Sequence, residues 1–117
     1  MLTGVRVLIV EDEPLVALDL QTTFADAGAT ATCARSIEHA LDILHLDLVD
    51  FCVLDTQLWQ GETSHDLTHV LKFKGIPFAV FSAYRTPIDG AIAHVSKPFT
   101  SAEVVAVAER YLELRGK

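Results

Sequence analysis

Acidic side chains stand at the ends of two short apolar runs of the sequence. Glu11 and Asp12 follow the first run, and Asp55 ends the run that begins at Phe51. Clustered carboxylates repel one another and stay ionised together only if a cation lies between them, and their hard oxygen atoms suit Mg²⁺. If the two runs are neighbouring parallel strands, the three carboxylates predict a magnesium site.

Two further side chains suit the chemistry of phosphoryl transfer. Ser82 follows Phe81 at the end of another apolar run, and Lys97 follows the last run, directly before Pro98. A lysine supplies a positive point charge to a phosphoryl group, and a serine hydroxyl donates a hydrogen bond to one of its oxygens. A carboxylate can attack phosphorus and form an acyl phosphate. These residues predict that Asp55 is a phosphoryl acceptor.

Each of these residues also has an ordinary explanation when it is taken alone. A carboxylate after a strand, such as Asp12, is usually a helix cap or a turn former. Lys97 alone would be a solvated lysine before a turn, and Ser82 alone a loop residue. The convergence of five suitable side chains favours a site over these separate explanations. The Lys97-Pro98 bond can be cis or trans, and the sequence leaves both open.

Composition limits the class of protein. The chain has 117 residues, half of them hydrophobic, which suits one domain over residues 1–117 without an effector domain. Sixteen acidic residues against nine basic ones argue against a nucleic-acid surface. No apolar run approaches the roughly 18 residues of a membrane span, and no signal-peptide pattern is present, so we expect a soluble, cytoplasmic protein. Cys33 and Cys52 lack metal-site spacing and are expected to be buried free thiols.

Apolar runs alternate with helical patterns along the chain, and the runs are apolar on both faces. Five runs are interpreted as strands: Val5 to Val10, Ala29 to Cys33, Val49 to Leu54, Phe78 to Phe81 and Ala91 to Val95. Pro14, Ser36 and Thr100 or Ser101 are expected near the starts of helices, with Glu103 placed for a capping box. The pattern predicts an α/β fold with a doubly wound, five-stranded parallel sheet. Ligands bind such sheets beyond the carboxyl ends of the strands, where all five candidate side chains fall.

With these residues placed, the chain resembles the receiver domain of bacterial two-component response regulators over essentially its full length. Four segments carry the resemblance: Val7 to Pro14, Val53-Leu54-Asp55, Phe81-Ser82-Ala83 and Ser96-Lys97-Pro98-Phe99. The resemblance implies a flavodoxin-like receiver fold in which Asp55 is the phosphoacceptor and Glu11 and Asp12 hold Mg²⁺. It also implies that Ser82 is the switch hydroxyl and Lys97 contacts the phosphoryl group. The backbone carbonyl of Gln57 would be a further metal ligand.

The chain departs from the family's pattern in the segment between Ser82 and Lys97. Only fourteen residues intervene there, and after a strand they leave about two helical turns at most, so the fourth helix is predicted to be shortened or missing. His94 stands where typical receivers have a switch aromatic, and Tyr84 is an alternative for that role. Each also has a plain explanation, a packed histidine and a space-filling tyrosine.

The resemblance implies a stand-alone receiver, not an enzyme, that takes a phosphoryl group from a histidine kinase or phosphotransfer protein. It would signal to a downstream protein partner. One alternative is a receiver-like binding module that works without phosphorylation. A less favoured one is a haloacid-dehalogenase-like phosphatase, which needs an aspartate where this chain has Gln57. The last helix has a second apolar ridge that predicts either a homodimer surface or a wide core face. Its residues are Val104, Val107, Tyr111 and Leu114.

Overall fold

A computed structural model describes residues 2–55, 61–82, 90–96 and 100–115 of the chain, and for residues 61–64, 82 and 114–115 it describes the backbone alone. One five-stranded sheet runs through the described residues in the order β2-β1-β3-β4-β5, with every neighbouring pair parallel. The strands are β1 (Arg6–Val10), β2 (Thr30–Ala34), β3 (Phe51–Asp55), β4 (Phe78–Ser82) and β5 (Ala93–Ser96). The predicted parallel sheet is confirmed, and each strand begins and ends within two residues of its predicted run.

Four helices occur in the described part of the chain. They are α1 (Pro14–Asp26), α2 (Ile37–Leu46), α3 (Gly61–Phe73) and α4 (Ser101–Arg115). Helices α1 and α4 pack on one face of the sheet, and α2 and α3 pack on the other. The predicted doubly wound α/β fold is therefore confirmed. The fourth helix was predicted to be shortened or missing after Ser82. Residues 83–89 lie outside the described residues, so this stays a prediction.

Alternate residues of the central strands enter two separate cores. Ile9 and Val53 pack toward α1 and α4, whereas Leu8 and Leu54 pack toward α2 and α3, and all four side chains are fully buried. Strands covered on both faces must be apolar at successive positions, which is why β1 and β3 appear in the sequence as continuous apolar runs. The parallel pairing of β1 with β3 places their carboxyl ends next to each other.

Helix caps determine where two of the helices begin. The Ser36 hydroxyl accepts a hydrogen bond of 3.0 Å from the backbone N–H of His39 at the start of α2. Before α4, the Thr100 hydroxyl accepts a bond of 3.2 Å from the backbone N–H of Glu103 and donates one of 3.3 Å to its carboxylate. Such caps satisfy backbone donors that have no partner inside the helix. The predicted helix starts at Ser36 and Thr100 are confirmed.

The cysteines and the last helix test two further predictions. Cys52 is buried and Cys33 half-buried, both are free, and burial raises the pKa of each thiol. Val104, the first residue of the second apolar ridge, is 1% exposed in the core shared with α1, which agrees with the wide core face rather than with a homodimer surface. Val107 and Tyr111 also pack against that core, while the side chain of Leu114 lies outside the described residues. The ridge is buried because α4 packs against α1 as well as against the sheet. For these described residues the structure favours the wide core face.

Among the described helices, none has the length and apolar character that a membrane span requires.

Candidate metal centre

The point where the order of the strands reverses lies between β1 and β3. The chain passes from β1 outward to β2, then returns to place β3 on the other side of β1. The connections that follow β1 and β3 run to opposite faces of the sheet and leave a crevice between them at the carboxyl ends of the strands. Val10 pairs with Leu54 in the sheet, so Glu11 and Asp55 are adjacent at this edge.

Local structure holds the three carboxylates at different depths in this crevice. The backbone N–H of Glu11 bonds to the Ala34 carbonyl at 2.9 Å, which continues the pairing of β1 with β2 by one residue. Glu11 is 1% exposed and Asp55 0% exposed, whereas Asp12 is exposed. Glu13 then forms the cap residue of α1. Two acids are thus buried, and the third lies at the mouth of the crevice.

Carboxylate oxygens of Glu11, Asp12 and Asp55, one from each residue, all lie within 4.8 Å of one another. Ligands of an octahedral cation with bonds of about 2.1 Å lie roughly 3.0 Å apart when adjacent and about 4.2 Å apart when opposite. A spread of no more than 4.8 Å is therefore compatible with three ligands of one Mg²⁺. Two buried like charges this close cost free energy that a divalent cation would offset. The residues present fit a hard divalent cation, and the predicted convergence of these three acids is confirmed.

The remaining predicted site residues are only partly covered by the structure. Ser82 ends β4, one residue beyond the position that pairs with Asp55, but its side chain is outside the described residues. Lys97, which follows the last residue of β5, and Gln57 and Tyr84 also lie outside the described residues. Their roles stay predictions that rest on the resemblance.

His94 lies on β5, where it pairs with Val80 of β4. Register-paired residues of a parallel sheet project to the same face, so His94 lies on the face that α2 and α3 cover. Its side chain is half-buried, and β5 ends two residues later at Ser96. A switch role for His94 stays a prediction.

A polar contact that sequence reasoning missed joins α1 and α4, the two helices on the opposite face of the sheet from α2 and α3. The Ser101 hydroxyl, in the first turn of α4, donates a hydrogen bond to the Asp19 carboxylate of α1. The residues are 82 positions apart, so no local sequence pattern could have revealed the pair.

Comparison with curated proteins finds similarity to a transcriptional regulator, whereas no protein-family model matches the chain. The Transcriptional regulatory protein VxrB of Vibrio cholerae is 32% identical in an alignment of 106 positions that covers 85% of this chain and 42% of the relative. The chain therefore spans less than half the length of this curated relative.

Solved structures share the fold across nearly the whole chain. The receiver domain of the Francisella response regulator 1452 superposes with a TM-score of 0.78 at 23% identity, covering 97% of this chain and 100% of that one. A receiver domain protein from Methanospirillum hungatei gives a TM-score of 0.82 at 16% identity, covering 96% of each chain. The response regulator TrrA from Thermotoga maritima, solved in complex with Mg²⁺-BeF, gives 0.76 at 23% identity, covering 91% of this chain and 97% of that one. The chain therefore has the fold of response-regulator receiver domains, and part of its sequence is similar to that of a transcriptional regulator.

Proposed function

We propose that this receiver accepts a phosphoryl group on Asp55, with Mg²⁺ held by Glu11, Asp12 and Asp55. The observation that supports the proposal is the cluster of three carboxylates within 4.8 Å at the reversal point of the sheet, with Asp55 fully buried at its base. If the acids served only to cap α1, Asp55 would not belong to the cluster, because it ends β3 and does not precede α1. The similarity to a response regulator solved with Mg²⁺-BeF adds support from outside the chain.

The proposed transfer moves one phosphoryl group without changing any oxidation state. A carboxylate oxygen of Asp55 attacks phosphorus, the bond from phosphorus to the donor histidine nitrogen breaks, and that nitrogen keeps the electron pair. Bound Mg²⁺ would offset negative charge on the phosphoryl oxygens. Glu11 and Asp12 would hold the ion, with the backbone carbonyl of Gln57 as a further ligand. Ser82 and Lys97 would contact the phosphoryl oxygens.

The proposed donor is a histidine kinase or a phosphotransfer protein, and the proposed output passes through protein contacts of this domain. Phosphorylation adds a charge of about −1.5 to −2 at the edge of the sheet, which can change the conformation only through contacts that differ between two states. The charge of −7 opposes direct DNA binding by this domain. A homodimer through α4 has little support, because Val104 of the apolar ridge is buried in the core and does not face outward.

Intact mass after incubation with acetyl phosphate and Mg²⁺ tests the proposal. Wild-type protein should gain the mass of one phosphoryl group, and the gain should disappear with EDTA or in Asp55→Asn. Glu13→Gln is a matched control, because Glu13 is an exposed acid next to the cluster but not part of it. Phosphate incorporation by Asp55→Asn would refute the assignment of the acceptor.

The same preparation separates the two alternative functions. A binding module that works without phosphorylation would show no mass gain, even from a cognate kinase. A phosphatase would hydrolyse a generic phosphate ester over many turnovers, whereas we propose that this chain does not, because Gln57 offers no general acid.

A further inference from the structure

Two histidines lie one helical turn apart on the outer side of α3. His65 and His69 are both exposed, whereas Leu67 and Leu71 of the same helix are fully buried in the core between α3 and the sheet. Residues four positions apart in a helix are separated by about 6 Å along its axis and by ~40° around it. The two imidazoles therefore project from neighbouring points of the helix face that is turned away from the sheet.

This spacing suits two ligands of one transition-metal ion. Side chains four positions apart in a helix have Cβ atoms about 5–6 Å apart. In a tetrahedral zinc site with Zn–N bonds of about 2.0–2.1 Å, two imidazole nitrogens lie roughly 3.3 Å apart. Two imidazoles on one helix face need only tilt toward each other to reach one ion. Zinc-binding helices of the His-Glu-x-x-His type use the same spacing of two histidines.

Nitrogen ligands select a different class of cation from the one that suits the carboxylate cluster. Imidazole binds Zn²⁺, Ni²⁺ and Cu²⁺ well, whereas Mg²⁺ prefers oxygen ligands in an octahedral arrangement. Neither His65 nor His69 belongs to the group of carboxylates that converge at the edge of the sheet. The histidine pair is therefore a separate place where a cation of another class can bind.

The charges beside the pair do not oppose a cation. Asp66, three residues before His69, attracts a positive ion, and Lys72, three residues after it, repels one. Among the described side chains of α3 these are the two charged groups, and their effects offset each other. The net charge of −7 on the whole chain then favours the approach of a cation.

We propose that His65 and His69 together bind one borderline-soft divalent cation of the Zn²⁺ class, with water at the remaining positions of the ion. The inference goes beyond the proposed phosphoryl transfer and does not depend on it, because neither histidine is part of the carboxylate cluster. An ion held by both imidazoles links successive turns of the helix and requires the folded form of α3. Zn²⁺ therefore stabilises α3, which begins six residues after Asp55.

A Zn²⁺ titration of the full chain, followed by NMR of the imidazole groups, tests the proposal. Mg²⁺ is present in excess throughout to occupy the carboxylate cluster. The signals of His65 and His69 should shift together and stop changing at one equivalent of Zn²⁺. The other three histidines should shift much less at that point; they are His39, His45 and His94. Parallel shifts of all the exposed histidines over the same range of Zn²⁺ would show independent binding by single imidazoles and would refute the pair.

Calorimetry of three variants gives the second measurement. His65→Ala and His69→Ala should each weaken Zn²⁺ binding at least tenfold, equivalent to ~1.4 kcal/mol or more. Alanine has the highest helix propensity, so both variants should keep the circular dichroism of the wild-type chain. His45→Ala is the matched control, because it removes an exposed histidine of α2 that has no histidine three or four positions away. It should keep wild-type affinity. Unchanged affinity in either α3 variant, or an equal loss in His45→Ala, would overturn the proposal.

Discussion

Asp55→Asn should stabilise the folded chain in the absence of divalent cations. The substitution keeps the shape of the side chain and removes one of two buried negative charges whose oxygens lie within 4.8 Å. At an effective dielectric constant of about 20, two unit charges at that distance repel by roughly 3.5 kcal/mol. Only part of this repulsion appears in the free energy of unfolding, because the effect of the substitution also includes the interactions that Asp55 makes with its surroundings. We therefore expect a net gain of about 1–2 kcal/mol in the free energy of unfolding.

Mg²⁺ should reverse the order of stability. A cation at one hundred times its dissociation constant adds about 2.7 kcal/mol to the folded state that binds it. Wild-type protein should gain this amount, and Asp55→Asn should gain much less because it has lost a ligand. Urea unfolding followed by circular dichroism, in EDTA and in a series of Mg²⁺ concentrations, measures both effects. In thermal unfolding, a gain of about 1.5 kcal/mol corresponds to roughly 5 °C for a chain of this size.

Two results would refute this electrostatic reasoning. One is an Asp55→Asn protein no more stable than wild type in EDTA, and the other is equal stabilisation of both proteins by Mg²⁺. Glu13→Gln is the control for a general effect of net charge, since it removes an exposed acid beside the cluster. Glu13→Gln should change the stability in EDTA and the response to Mg²⁺ much less than Asp55→Asn does.

Two further predictions concern positions away from the site. Ser36→Ala removes the cap of α2 and should lower the free energy of unfolding by about 1 kcal/mol in urea unfolding, with Ser36→Thr as a control that keeps the hydroxyl. Hydrogen bonds from Arg6 lower the pKa of Asp50, so this carboxylate stabilises the fold above its ordinary pKa and loses that effect as the pH falls through the lower folded value. The difference in unfolding free energy between wild type and Asp50→Asn should therefore be present at about pH 7 and shrink as the pH falls below the ordinary carboxyl pKa. A difference that does not shrink in acid would contradict this explanation.

Local sequence signals were sufficient for most of the fold. Strand limits followed from apolar runs bounded by polar residues, and the starts of α2 and α4 followed from Ser36 and Thr100, because capping is decided within four residues. The sequence left open whether the ridge that contains Val104 is a surface or part of the core, since a helical pattern gives the spacing of apolar residues but not how many neighbours cover them. Both the sheet and α1 cover the apolar residues of α4.

The sequence by itself determined the alternation of strands and helices and the types of side chain at the carboxyl ends of the strands. These features depend on neighbours a few residues away, so they can be deduced from periodicity and turn chemistry. Only the tertiary structure decided which strands are adjacent, how close the oxygens of Glu11, Asp12 and Asp55 come, and that Asp19 meets Ser101. Those distances arise from packing two helical layers against one sheet, and packing joins residues that the chain itself keeps far apart.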